Sequence, residues 1–263
     1  MGTERKRIDI VLTERGIFAS RSAARAAIMA GLVYINEQRV DKPGTPVRED
    51  IEVDVRELPR YVSRGGLKLE KALRTFAVHI TGRVALDVGA STGGFTDCLL
   101  QHGARKVYSV DVGYGQLDWR LRQDPRVVAM ERTNIRNLTG EEFLEPVEFA
   151  TVDVSFISLA LVLPVLKVLG VVEIIALVKP QFEVGKGRVG KKGVVRDPQD
   201  HLEVLKKIAQ VAKHEGYGLA GADFSPIRGP EGNTEYLFYL KANQDYQLPD
   251  LAAVVTDAHR ELD

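Results

Sequence analysis

Residues 84–95 read VALDVGASTGGF, and the fold turns on this stretch. Val84, Leu86 and Val88, with Ala85 between them, predict a short buried strand. Gly89, Gly93 and Gly94 predict a tight turn after it, and the apolar run at 95–100 is of helical length. A strand, a glycine turn and a helix N-terminus together make a nucleotide pocket. Glycines let the backbone approach a ligand without Cβ interference, and the free N–H groups of the helix's first turn face the crevice. Asp87, Gly89, Ala90, Ser91, Thr92, Gly93, Gly94 and Phe95 are the candidate cofactor contacts of this turn, and Asn134 is a further candidate.

The dinucleotide fingerprint needs G-x-G-x-x-G, but the residue two after Gly89 is Ser91, which disfavours NAD. The next predicted strand, 106–110, ends at Asp111, 22 residues beyond Gly89 and about where a ribose-binding carboxylate falls. Asp111 can accept hydrogen bonds from both hydroxyls of a ribose. NAD and S-adenosylmethionine both carry that ribose, and the missing second glycine favours S-adenosylmethionine. The plain alternative is doubly wound scaffolding with no ligand.

The chain has 263 residues, 44% of them apolar, enough for one large domain and a small one. Its 36 basic and 36 acidic residues cancel, so any nucleic-acid site must be a local patch. The single cysteine, Cys98, excludes an intramolecular disulfide and reads as core packing, in keeping with a reducing cytoplasm. The N-terminal MGTERKRIDIVL lacks the apolar core of a secretory signal. The longest apolar run, 159–172, is broken by Pro164, Lys167 and Gly170, so neither a membrane span nor a stable membrane association is expected. The five histidines are scattered and no Cys/His cluster has ligand spacing, so no catalytic metal is expected.

Upstream, Ile8, Val11 and Leu12 stand at helical spacing with Gly16 closing that helix, and Ser20 caps a second helix, 21–30, ended by Gly31. Strands at 32–35 and 51–55 follow, with turns at Asn36-Glu37-Gln38 and Lys42-Pro43-Gly44. Arg5, Lys6, Arg7, Arg21, Arg25, Arg39 and Lys42 can gather into one basic patch if Arg21 and Arg25, four apart, share a helical face; a solvated surface is the plain alternative. The spaced pattern of Arg7, Asp9, Leu12, Gly16, Ser20-Arg21, Ala24, Ile28, Gly31, Val33 and Lys42-Pro43-Gly44 resembles the S4 RNA-binding domain. That resemblance covers 5–55 and implies RNA contact by the patch.

We expect residues 1–56 to form this small α+β domain, 57–62 (ELPRYV) a linker, and 63–263 a second domain. The second opens SRGGLKLEKAL, where Leu69, Ala72, Leu73 and Phe76 keep helical spacing and Lys68 falls off the core stripe. A cation near a helix N-terminus opposes the dipole, so something else must hold Lys68. Strands at 106–110, 149–152, 174–178 and 234–240 then alternate with helices at 159–170 and 202–214, the rhythm of a mostly parallel sheet, and a terminal helix is expected within 249–262. Asp153 and Lys179 fall at strand C-termini, where open α/β sheets bind ligands, and Glu235 stands beside the last strand.

SRGGxKL, the GASTGGF turn, DVSFIS from Asp153, VKPQFE from Val178 and GPxGNxEY from Gly229 together resemble the TlyA family over almost the whole chain. The resemblance implies an S4 domain joined to a Rossmann-like, FtsJ-like methyltransferase domain of α/β class. It implies S-adenosylmethionine-dependent 2′-O-methylation of cytidine in ribosomal RNA, with Lys68, Asp153, Lys179 and Glu235 as the catalytic tetrad. In that family a C-terminal extension goes with members that modify both ribosomal subunits. The family is also labelled haemolysin. A membrane-lytic activity would need a span or a strongly amphipathic helix, and an S4-type RNA binder with a dead transferase domain would not need the intact tetrad.

The chemistry agrees with the resemblance. A ribose hydroxyl is a weak nucleophile, so attack on a sulfonium methyl needs a base and tight alignment. Lys179 is the candidate base, since a crevice holding Lys68 and a sulfonium favours a neutral amine, and Asp153 and Glu235 are assigned to orientation. Arg64, Lys186 and Arg188 are further candidate RNA contacts, the last two on the glycine-rich loop GKGRVGKKGVV, which lacks the P-loop pattern.

Overall fold

In the structure, a computed structural model describing residues 5–56, 59–185, 187–190, 193–244 and 248–262, the chain divides into two units, Met1–Arg60 and Tyr61–Asp263. The first holds β1 (Arg5–Arg7), α1 (Ile8–Glu14), α2 (Arg21–Met29), β2 (Val33–Ile35), β3 (Gln38–Arg39), β4 (Pro46–Arg48) and β5 (Asp54–Val55). β1 pairs with β4, and β2 lies between β3 and β5, all antiparallel. The Ala23 N–H donates to Ser20 Oγ at 3.2 Å, the cap the sequence predicts for α2. Ile8, Leu12, Ala24, Ile28 and Val33 close the core, so the i, i+3, i+4 pattern faces inward as read. Asn36 and Glu37 adopt positive φ (48° and 64°), the two-residue hairpin turn between β2 and β3. The strand expected at 51–55 shortens to β5, because the Ile51 N–H turns back to the Arg48 carbonyl.

Tyr61 and Val62, expected in the linker, belong to the second unit. The Tyr61 ring is buried with Leu69, Leu73 and Phe95, lying against the bare Cα of Gly66 where a Cβ would collide with it. The Val62 N–H donates to Asp97 Oδ2 at 2.8 Å. An aromatic ring in a polar linker is a burial signal, and here it anchors the unit's entry. Glu57 and Leu58 lie outside the described residues.

The second unit is α/β. Its elements are α3 (Gly65–Thr75), β6 (Val84–Val88), α4 (Gly94–Gln101), β7 (Lys106–Val110), α5 (Trp119–Gln123), β8 (Val127–Met130), β9 (Phe149–Val152), α6 (Leu159–Val168), β10 (Glu173–Val178), α7 (Pro180–Glu183), α8 (Pro198–His214), β11 (Tyr217–Phe224), β12 (Tyr236–Ala242) and α9 (Leu251–Leu262). The sheet order is β11-β12-β10-β9-β6-β7-β8, and only β12 runs against its neighbours. Both faces are covered: Leu86, Val152, Ile174 and Ala176 pack into one core, and Ala85, Phe149, Ile175 and Leu177 into the other. β8 and β11 are additional to the strands expected. β11 carries Gly218 and Gly221 and a register shift between Leu219 and Gly221, so its sequence lacks a clean alternation. Among the described residues no helix is long and apolar enough to cross a membrane.

Candidate active site

β6, β7, β9 and β10 are parallel, so Gly89, Asp111, Asp153 and Lys179 all follow strand ends at one edge of the sheet. β12 is reversed, and its register sets Tyr236 opposite Val178, which delivers Glu235 to the same edge at the start of its strand. α3 brings Lys68 in from before the first strand. The tetrad is thus assembled by topology from residues spread over most of the unit.

It forms two ion pairs. Lys68 Nζ lies 2.5 Å from Glu235 Oε2, and Lys179 Nζ lies 2.6 Å from Asp153 Oδ1 and donates to Ser155 Oγ at 3.1 Å. Lys68 and Lys179 are each 7% exposed and Glu235 is fully buried. Glu235 Oε1 has no hydrogen-bond partner among the described residues. A Cβ on Gly229 would collide with that carboxylate, so the loop before β12 needs glycine there to seat Glu235. Buried charges persist only when paired, and each lysine here holds its carboxylate in place.

The glycine turn sits beside the tetrad. Gly89 has φ +86° and a Cβ on it would stand 2.5 Å from the Asp153 carbonyl oxygen, so only glycine lets the β6 and β9 ends close up. Two cavities meet here, sharing Gly89, Ser91, Asp153 and Ser155. One, of about 650 Å³, also reaches Asp111 and Asn134; the other, of about 290 Å³, also reaches Lys68, Lys179, Ala90, Thr92, Gly94 and Phe95. Asp111 accepts from the Ser91 N–H (2.8 Å) and the Gly113 N–H (2.7 Å), which fixes its carboxylate and leaves lone pairs for a ligand. Asn134 accepts from the Arg136 N–H at 3.0 Å. Gly93, at φ +96°, faces Leu117 and Leu121 and shapes the turn from behind.

Asp87 departs from its expected place among the cofactor contacts. It is fully buried under the turn, accepting from Thr96 Oγ1 at 2.6 Å and Thr151 Oγ1 at 3.1 Å, and burial pushes its carboxyl up to about 7. With no surface to offer a ligand, it braces α4 against β6 and β9. Both faces of β6 are covered, which encloses Asp87, and proximity to the glycines hides that.

The basic residues divide. Arg7 holds Asp9 through two bonds of 3.0 Å, and Arg21 Nε reaches the same carboxylate at 3.0 Å, so one buried acid fixes two half-exposed guanidinium groups. The Arg7 hydrogen bonds keep the Asp9 carboxyl below the usual carboxylate range. Arg5, Arg25, Lys42 and Arg64 are exposed, and Arg64 lines the 290 Å³ cavity. Arg188, half-exposed, pairs with Asp200 and, at 2.7 Å, with Glu203 on α8, which holds its guanidinium at the surface. Lys186 lies outside the described residues.

Two features of the site went unread in the sequence. Phe156, 91% exposed at φ +65°, sets its ring 5.0 Å from that of Phe182, forming an aromatic ledge by Lys179. Glu183 accepts from Ser158 Oγ (2.6 Å) and the Leu159 N–H (2.7 Å), tying the loop after Asp153 to the helix after Lys179. DVSFIS and VKPQFE are the only signals for either, and neither reveals a backbone angle. Among the described residues no group of three or more His, Cys, Asp or Glu could hold a metal ion.

The FtsJ-like methyltransferase family matches residues 61–242, and the S4 domain matches residues 6–53. The chain is 52% identical over 272 residues to a Bacillus subtilis protein provisionally named rRNA methyltransferase YqxC, covering 100% of this chain and 97% of that one. It is 47% identical over 250 residues to the 16S/23S rRNA (cytidine-2'-O)-methyltransferase TlyA of Mycobacterium tuberculosis, covering 93% and 92%. A solved structure from Streptococcus thermophilus with the provisional name hemolysin matches at TM-score 0.76 and 44% identity, over 99% of this chain and 98% of that one. Two matched domains and relatives this similar over nearly their whole length show that the chain belongs to the TlyA family of FtsJ-like methyltransferases.

Proposed function

We propose that this methyltransferase uses S-adenosylmethionine to methylate a ribose 2′-hydroxyl in ribosomal RNA, a cytidine as in the name of the tuberculosis relative. The observation that carries the reading is the buried double ion pair, Lys68–Glu235 and Lys179–Asp153, beside a glycine-lined cavity. The cradle fits the cofactor: Gly89 and Ser91 line both cavities, and Asp111 faces the larger one, where a ribose diol needs an acceptor. Bound S-adenosylmethionine supplies an electrophilic methyl on a positively charged sulfur. Lys179, as a neutral amine, would take the 2′-hydroxyl proton when that oxygen receives the methyl and the sulfur keeps the electron pair of the broken bond. Asp153 and Ser155 aim the Lys179 amine, and the Lys68–Glu235 pair walls the site.

Mass-spectrometric mapping of ribosomal RNA from cells with and without the protein tests this. A 2′-O-methylcytidine should vanish without the protein and return when purified protein and S-adenosylmethionine are added; identical maps would overturn the reading. Asp111→Ala should weaken S-adenosylmethionine binding by about 1–3 kcal/mol, since ribose donors lose a charged acceptor. Unchanged affinity by titration calorimetry would move the ribose elsewhere.

The first unit supports RNA contact through the Arg7–Asp9–Arg21 cluster with Arg25 one turn on. Arg21→Ala combined with Arg25→Ala should lower RNA affinity and flatten its salt dependence while cofactor affinity holds, because phosphate contacts release counterions. An unaltered salt slope would remove this surface from the interface.

A further inference from the structure

A third cavity, of about 420 Å³, shares Ser155, Phe156 and Lys179 with the two above but takes no residue from the glycine turn. Gln181, Phe182, Asn233 and Glu235 complete the part of its lining that matters here. Gln181 Oε1 is buried, and it has no hydrogen-bond partner among the described residues. A buried amide oxygen is unfavourable until something bonds to it, and an apolar side chain would fill the same space without that penalty. Phe156 likewise spends a left-handed backbone angle and an almost fully exposed ring on this spot. Gln181 stands two residues after Lys179 on the short α7, so reading group and base are held at a fixed spacing.

The geometry points to an occupant, given the function proposed above, on which this inference rests. If Lys179 takes the 2′-hydroxyl proton, the nucleobase hangs from the adjacent ribose carbon and must enter a cavity bordering Lys179. The cofactor occupies the glycine-turn side, which leaves this one. We infer that it receives the target base turned out of its stack against the Phe156–Phe182 ledge, and that Gln181 is a specificity-determining residue that recognises cytosine. The amide oxygen accepts from the exocyclic amine at C4, and the amide –NH₂ donates to ring N3. Uracil reverses both groups, so an amide kept in this orientation would set its buried oxygen against a carbonyl. A site built to bond an amine rejects an analogue without one, because its own polar atom is then left bare.

The test uses the full-length protein and ribosomal subunits reconstituted with ligated RNA, carrying at the mapped target either cytidine, uridine or the riboside of 2-pyrimidinone, which lacks the amine. Wild type should transfer to cytidine roughly 10–100-fold faster than to the other two in single turnover. Gln181→Met keeps the length and removes both polar groups. It should bind S-adenosylmethionine normally and methylate all three at one low rate, so the ratio falls to about one. A Gln181→Met enzyme that keeps the wild-type ratio, or one as fast as wild type on cytidine, overturns the inference. Should the variant lose cofactor binding, the wild-type ratio decides alone, and a ratio near one overturns it. Failure of wild type to methylate even the cytidine subunit would instead overturn the proposed function.

Discussion

Lys179→Ala is expected to lower the single-turnover rate of methyl transfer by roughly 10²–10⁴-fold, the usual worth of a positioned general base, with S-adenosylmethionine affinity nearly unchanged. The structure sharpens this, because Lys179 is held by Asp153 and Ser155 while the glycine turn lines another part of the same cavity. Lys179→Arg separates two roles. Guanidinium keeps the charge beside Asp153 but cannot give up its proton at working pH, so it should be about as inactive as alanine if Lys179 is the base. Recovery of much of the rate by arginine would reduce Lys179 to a fixed positive charge. Rates at several pH values on undermethylated ribosomal subunits decide between the two.

Glu235→Ala should be the most destabilising change in the tetrad. It strips a nearly buried Lys68 of its counter-charge, and breaking a buried pair from one side costs about 3–5 kcal/mol. Lys68→Met combined with Glu235→Leu should recover most of that stability, since two apolar chains leave no orphan charge, and yet remain inactive. Urea unfolding of the two variants against wild type makes the comparison. A loss under about 1 kcal/mol for Glu235→Ala would mean that water reaches Lys68 and that the pair is not the closed wall described above.

The edge of the sheet was legible in the sequence wherever local pattern determined it. VALDVG followed by glycines, and apolar runs ending at Asp111, Asp153 and Lys179, each announce a strand C-terminus, and parallel strands set such ends side by side. Glu235 is different. TEYLFYLKA reads as a strand in either direction, and only pairing with β10 and β11 reverses it, a long-range choice that no local period encodes. Asp87 was misplaced for a related reason: its neighbours in sequence line the crevice, but its partners Thr96 and Thr151 come from α4 and β9. The anchoring of Arg188 was not legible, because Asp200 and Glu203, three residues apart on α8, lie beyond any local window. The Tyr61 ring and the bare Cα of Gly66 likewise meet only in the folded unit.

The place of β12 between β10 and β11 bears on the order in which the chain folds during synthesis. β11 is made first but joins the ladder of the sheet only through β12, so its strand hydrogen bonds wait until residues 236–242 arrive. The same segment brings Glu235, and without it Lys68 has no partner in the cavity wall. Closing the sheet and completing the tetrad are therefore one late event. A nascent chain that stops short of β12 still holds the glycine turn in its sequence but lacks Glu235, the partner of Lys68. If the tetrad carries the reaction as proposed, methylation competence is expected to switch on with the insertion of a single strand.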